Sequence, residues 1–448
     1  MKSFLTVIVA FFIFSQPVYA QADPKIVLKE WIDKNAIDIS LPDSSIAFSN
    51  LSAFKTMLGN TKIFALGEPL HNLSEPLELR NRLFKFMISE MGFNAIALET
   101  SFSQAKKIND FILGRSRGRA PLIANSNMSY GFGALKANSD LIEWVRRFNT
   151  TKPDHLKVRF YGIDLTGEFG KSAYPSIQSA LDYIAVVDPD LFSELNPSLL
   201  DLKNDFIASA FVKLNEERRR QIRKNIIDLI KTLKDNRTRF IKRSSEEEFD
   251  WALQQAVNAR YDEVFLESLP RNNDSTKNLP IVRSINLRDT AMAQNVEWIV
   301  KHSGKNRKVL LFAHNMHIFN GQNLPEENNP WFNLLKGSNA AGVSLRSMFG
   351  KDLFVMGIFY GTMRGNQFPD TMPVEKDEFS SLLDQSSSSQ YLLNLENGSS
   401  KNDLYKFINK KLLIRNGYHG EARVYVNPVQ GFDAAIFIRS VGAAPRAF

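Results

Sequence analysis

Residues 61–80 read TKIFALGEPLHNLSEPLELR, so that Glu68, His71 and Glu75 follow directly on an apolar run and Arg80 comes shortly after. A histidine set between carboxylates suits water activation. The imidazole takes a proton, a carboxylate fixes its tautomer, and a nearby cation stabilises the oxyanion that develops. The same nitrogen and oxygen donors suit zinc, iron or manganese. Spacing therefore leaves a metal-binding protein and a metal-dependent hydrolase open beside a metal-free one. His314 and His317, in LLFAHNMHI, also follow an apolar run, with Asn315 between them. The other three histidines, His155, His302 and His419, stand in the loop-like contexts KPDHLKV, VKHSGKN and NGYHGEA and read as surface residues.

Other chemistries lack their signatures. No G-x-S-x-G elbow, P-loop or H-E-x-x-H occurs, and GFGALK at 131–136 lacks the third glycine of a dinucleotide fingerprint. With no cysteine among 448 residues, thiolate catalysis, disulfides and cysteine-bound zinc are excluded. The formal net charge of +8 is spread among acids, which reads as no nucleic-acid partner.

The elements that must position these residues are short apolar runs: KIFAL (62–66), FNAIALE (93–99), KVRFYGID (157–164), RKVLLFAHN (307–315), DLFVMGIFY (352–360) and FDAAIFI (432–438). Separated by helical spacing, they predict an α/β fold with a largely parallel sheet flanked by helices. The first four run into Glu68 and His71, Glu99, Asp164, and His314 with Asn315 and His317. Parallel strands would gather these clusters in one crevice beyond their carboxyl ends. A helix from Ser74 would put Leu77, Arg80, Phe84 and Met87 on one face, which turns Arg80 inward and demands a partner such as Glu68, Glu75 or Glu99. Residues 200–265 have no β-run and predict a helical insertion, while 270–279 and 384–400 read as polar loops.

The start of the chain, MKSFLTVIVAFFIFSQPVYA, has a basic residue, a short apolar stretch and a Val18-Tyr19-Ala20 ending. It predicts a signal peptide over 1–20, one domain over 21–448, a periplasmic or secreted location and no stable membrane insertion after cleavage.

The segment GEPLHNLSEPLELRNRLFKFMISEMGFNAIALE (67–99) resembles the start of erythromycin esterase-like proteins. DLIEWVRRFN, FYGIDL, LRDTAMAQNVEWI, LLFAHNMHI and FDAAIFI follow in the family's order. The resemblance implies hydrolysis of a carboxylic ester, first of all a macrolide lactone, with no serine nucleophile and no cofactor. It implies His71 as the base, with Glu68, Glu99, Arg80 and His314 completing a catalytic centre. Glu75, Asp164, Arg288, Asn315 and His317 are the candidates for substrate contact. Some relatives are associated with polysaccharide biosynthesis, and folds related to the family include haem- or iron-binding proteins and metal-dependent proteases, so a polysaccharide-associated protein and a metal- or haem-binding protein are further alternatives. Pro69-Leu70, and the NLSE that follows His71, are bulkier than the family's usual residues and bear on the identity of the substrate.

Overall fold

The computed structural model describes residues 24–39, 51–166, 170–271, 278–302, 307–327, 335–364, 377–395, 403–415 and 423–448. The leader expected at 1–20 lies outside them. The strands are β1 (Ile37–Asp38), β2 (Ile63–Glu68), β3 (Ala95–Ser101), β4 (Arg159–Asp164), β5 (Val309–His314), β6 (Leu353–Arg364), β7 (Gln390–Asn394), β8 (Leu412–Arg415), β9 (Arg423–Val426) and β10 (Ala434–Gly442). Eight of them form one sheet in the order β1-β7-β10-β6-β2-β5-β3-β4, and β8 and β9 form a separate hairpin. All six expected strands are present, and each pairs in parallel with its neighbours among the six. The segment 384–400 is not all loop. It contains β7, which pairs antiparallel with β10 at one edge.

The strands are apolar at nearly every position because both faces are covered. Side chains alternate between two cores. Phe64, Leu66, Ile96, Leu98, Leu310 and Phe312 pack on one side with the helices Ser74–Met91 and Lys136–Thr150. Ile63, Ala65, Ala95, Ala97, Val309 and Leu311 face the other, where the helix Asn278–His302 contributes Met292, Val296 and Ile299. The helix Ser74–Met91 stops at Gly92, whose φ of 71° is the left-handed conformation glycine takes without a Cβ clash.

No strand interrupts 200–265. The helices Glu216–Asp235 and Glu246–Ser268 pack with Tyr174–Val187 around a third core that includes Ile177, Ile226 and Phe249. This helical unit thus begins before residue 200. It is tied to the sheet through Asn295, which donates to the carbonyl of Ile163 at 2.9 Å and accepts from Gln254 and Asn258 at 3.0 Å each. Of the loop expected at 270–279, residues 272–277 lie outside the described residues and Asn278 begins a helix. No helix of the described residues is long and apolar enough to cross a membrane.

Candidate active site

The strand order β2-β5-β3-β4 places four parallel carboxyl ends side by side. Glu68 is the last residue of β2, and His314 is its register partner on β5. Glu99 lies near the end of β3, and Asp164 closes β4 opposite Ser101. The four sequence-distant clusters therefore meet in one crevice.

After Glu68 the chain turns through Pro69 and Leu70. Leu70 and Leu73 are buried, which anchors the segment on both sides of His71. The His71 Nδ1 lies 2.6 Å from the Glu68 Oε1. Glu68 is a buried acceptor, so Nδ1 carries the proton and Nε2 is the basic nitrogen of the neutral ring. Burial works to lower the His71 pKa, but the Glu68 carboxylate, with Glu99 further off, raises it above the ordinary histidine value. The ring packs against Phe132 with centroids 4.8 Å apart and against His314 at 5.1 Å.

Arg80 points inward, as the helical register requires, and is 1% exposed. Its expected ion pair with Glu68, Glu75 or Glu99 does not form. Nε and Nη2 instead donate to Asn81 Oδ1 at 3.0 and 2.7 Å, and the guanidinium lies 4.8 Å from the Phe312 ring centre. Asn81 is held in turn by the carbonyl of Ala137 at 2.7 Å. Burial lowers the Arg80 pKa to about 10, opposed by the field of Glu68, so the group remains a cation at neutral pH. Arg80, Glu68 and Glu99 share a small cavity with Leu98, Phe132 and Phe312, about 20 Å³ in volume. That is room for a single water molecule.

His314 is occupied. Its Nε2 donates to the carbonyl of Pro69 at 3.0 Å, and Nδ1 accepts from the backbone N–H of Met316 at 3.3 Å. Burial and the adjacent His71 push its pKa down to about 3. It stays neutral and braces the turn that carries His71. Both ring nitrogens of His314, which was expected among the reacting groups, are engaged by backbone groups.

A second cluster lies beside the first. Glu99 accepts from the backbone N–H of His314 at 2.9 Å, from Arg288 Nη2 at 3.2 Å and from the His317 Nε2 at 3.3 Å. Burial would raise its pKa, but His317, His71 and Arg288 hold it well below the usual carboxylate range. Arg288, on the helix Asn278–His302, grips Asp164 in a fork, with Nε to Oδ1 at 2.9 Å and Nη2 to Oδ2 at 2.6 Å. The His317 Nδ1 donates to Asp289 Oδ1 at 2.8 Å. Against the effect of burial, Asp289 and Glu99 raise the His317 pKa to about 10, which makes it a cation. Asp164, Arg288 and His317, expected to meet substrate, are thus bound chiefly to one another and to Glu99.

Two further candidates lie elsewhere. Glu75 pairs with Arg364 and accepts the backbone N–H of Gly442 at 2.8 Å, so it ties the start of its helix to the ends of β6 and β10. Asn315 donates from Nδ2 to the carbonyl of Ile358 at 2.8 Å and is buried against Gly67. A Cβ on Gly67 would overlap the Asn315 Oδ1 and come within 2.9 Å of Ile318 Cδ1. Glu75 and the Asn315 Nδ2 clasp the ends of strands, whereas the buried Asn315 Oδ1 has no hydrogen-bond partner among the described residues.

The structure adds Tyr130 and Asp289. Tyr130 adopts a φ of 57°, and its hydroxyl donates to Asp164 Oδ2 at 2.8 Å. The preceding residue is pinned to β3: the Ser129 N–H donates to Thr100 Oγ1 at 2.7 Å and the Ser129 Oγ accepts the Ser101 N–H at 3.0 Å. The only trace in the sequence is SYGFG, whose glycines mark a turn without saying where its aromatic rings go. Among the described residues no three His, Asp or Glu side chains are placed to share a metal ion.

The chain is similar in sequence and fold to several known proteins. Erythromycin esterase type II of Escherichia coli is 22% identical over 296 residues, which cover 65% of this chain and 68% of that protein. A solved succinoglycan biosynthesis protein has the same fold, with a TM-score of 0.77 at 21% identity over 95% of this chain and 99% of the other. A mutant of the erythromycin esterase EreC in its open conformation aligns at a TM-score of 0.64 and 17% identity, over 92% of this chain and 98% of its own. The erythromycin esterase family model matches residues 88–441, a span that holds Glu99, Asp164, Arg288, His314 and His317 and begins after His71. The chain belongs to the erythromycin esterase family.

Proposed function

We propose that the protein hydrolyses a carboxylic ester by water that His71 activates, and that a macrolide-type lactone is the first substrate class to test. Membership of the family supports ester hydrolysis, and the observation that carries the mechanism is the 2.6 Å Glu68–His71 pair beside the cavity lined by Arg80. Water gives its proton to the His71 Nε2 as its oxygen attacks the ester carbon. Glu68 stabilises the imidazolium that forms. The carbonyl oxygen becomes an oxyanion, and the Arg80 guanidinium faces the charge in a site of low polarity. His71 then returns the proton to the leaving alkoxide. The cavity admits the small reacting groups rather than a whole lactone, so the rest of the substrate stays outside it. Glu99, Asp164, Arg288, His317 and His314 act as positioning residues around this pair.

Mass spectrometry of a macrolide incubated with the purified protein tests the reaction. Addition of one water is expected, with loss of product in His71→Ala, and an unchanged lactone together with unchanged simple esters would overturn the proposal. The reaction runs without a metal in this scheme, so exhaustive chelation should leave turnover intact. The leader reading carries through to an exported enzyme with its mature end at Gln21. N-terminal sequencing of protein from the native cell should find that residue, and a chain starting at Met1 would refute export.

A further inference from the structure

A cavity lies far from the crevice, at the opposite end of the sheet. Arg159 opens β4 and Asp164 closes it, and at ~3.3 Å per residue the two ends are roughly 16 Å apart. The pocket there has a volume of about 550 Å³, within the range of small-molecule sites. Its walls include Arg159, Tyr161, Trp251, Trp298, His302 and Arg307. Tyr161 and Trp251 stack with centroids 5.4 Å apart and planes 11° from parallel. Trp298 stacks on His302 at 5.2 Å and meets Trp251 edge-on at 5.3 Å. Trp251 and Tyr161 are buried, whereas Trp298 is half-buried and His302 exposed, so the aromatic wall runs from the interior to the mouth.

The charged groups at the pocket have unequal needs. Its carboxylates are supplied with arginines: Glu246 and Asp250 by Arg237 at 2.5 and 3.1 Å, and Glu247 by Arg115 at 3.3 Å. Arg159 differs. Its side chain is 6% exposed, and Nη2 alone makes its contacts, to Asp154 at 2.8 Å and Glu247 at 3.4 Å. The Nη1 is buried with no hydrogen-bond partner among the described residues. A buried donor left unmet costs about 1–3 kcal/mol. The shortage in this pocket is therefore of an acceptor, beside flat apolar walls. Arg307, which gives Nη1 to the carbonyl of Asn94 at 3.2 Å, adds a second guanidinium to the lining.

We propose that this pocket is a second binding site, separate from the catalytic crevice, for a small aromatic carboxylate whose ring lies against Trp298 and Trp251 and whose carboxylate accepts from Arg159. The Nη1 is the donor left over for that carboxylate, and a charged acceptor makes the stronger hydrogen bond. Nothing in this proposal depends on the identity of the ester cleaved at the other end of the sheet.

Isothermal titration calorimetry with 2-naphthoate tests it, with 2-naphthylmethanol as the neutral counterpart of the same shape. The purified protein should bind one naphthoate, and the alcohol should bind about tenfold more weakly or less. Arg159→Gln should weaken naphthoate about tenfold while leaving the alcohol unchanged. Trp298→Ala, at a half-buried position that folding tolerates better, should weaken both. His71→Ala should leave naphthoate binding as it is. No saturable binding in the millimolar range would mean that water alone satisfies Arg159, and the proposal would fall. Equal binding of acid and alcohol would remove the role of the arginine, and loss of binding in His71→Ala would put the ligand in the catalytic crevice. Either result overturns the site.

Discussion

Replacing Glu68 by Gln isolates the charge that the proposed mechanism asks of this residue. The side chain keeps its shape and is 5% exposed, so packing is nearly preserved. What changes is the 2.6 Å contact with the His71 Nδ1. A hydrogen bond to a charged group contributes about 1.5–3 kcal/mol. That energy is realised as His71 becomes imidazolium in the transition state, and each ~1.4 kcal/mol is tenfold in rate. A loss of roughly 10–100-fold in kcat follows. A second effect opposes it. Glu68 is the main group raising the His71 pKa, and without it burial dominates and pulls the pKa below the ordinary value. More of the enzyme would then hold a neutral base at pH 7, so the loss is read on the plateau above the limb, where the base is neutral in both proteins. The two effects separate in a pH profile of kcat/KM. The rising limb should move to lower pH while the plateau drops. Initial rates of ester hydrolysis across pH, for wild type and Glu68→Gln, measure both. A variant with an unmoved limb and a plateau within about threefold of wild type would refute the assignment of Glu68 and His71 as a working pair.

Arg80→Lys keeps a charge but loses the fork held by Asn81, so kcat should fall about tenfold or more, with Arg80→Ala worse because a preorganised oxyanion contact is worth about 10²–10³; equal activity in Arg80→Lys would take the guanidinium out of the transition state. Gly67→Ala should lower stability by about 1–3 kcal/mol in denaturant titrations, since the new methyl overlaps Asn315 and threatens its 2.8 Å bond to Ile358, and an unchanged midpoint would mean the clasp yields freely. His317 has a folded pKa raised to about 10, above an unfolded value of about 6.5, so its stabilising effect is complete below the unfolded value and is lost as pH rises through the folded one. The two values correspond to on the order of 5 kcal/mol. Thermal melts should therefore show Tm falling between about pH 7 and 10, and His317→Asn should flatten that fall; parallel curves for the two proteins would contradict the charged state.

Much of the site was legible in the chain itself because its cues are local. An apolar run that stops at a polar side chain marks a strand end wherever the strand lies in the sheet: Glu68, Asp164 and His314 are the last residues of their strands, and Glu99 lies two residues before the end of its own. The spacing of Glu68 and His71 across one tight turn puts their side chains within reach of each other, and the packed Leu70 and Leu73 and the His314 bond to Pro69 hold them there. Helical periodicity alone was enough to turn Arg80 inward. What the chain could not state was the order of the strands. β5 comes about two hundred residues after β3 in the sequence, a count that only loosely limits where it pairs, yet it inserts between β2 and β3, and that choice rests on hydrogen-bond registers between distant segments. The order decides which polar ends touch. It sends the His314 ring to the Pro69 carbonyl and His317, one turn later, to Asp289 and Glu99, so two histidines alike in the sequence become one neutral brace and one buried cation. It also gives Arg80 an amide and an aromatic face in place of the expected carboxylate, and brings Tyr130 to Asp164 from a turn whose strained backbone only the packed structure can hold.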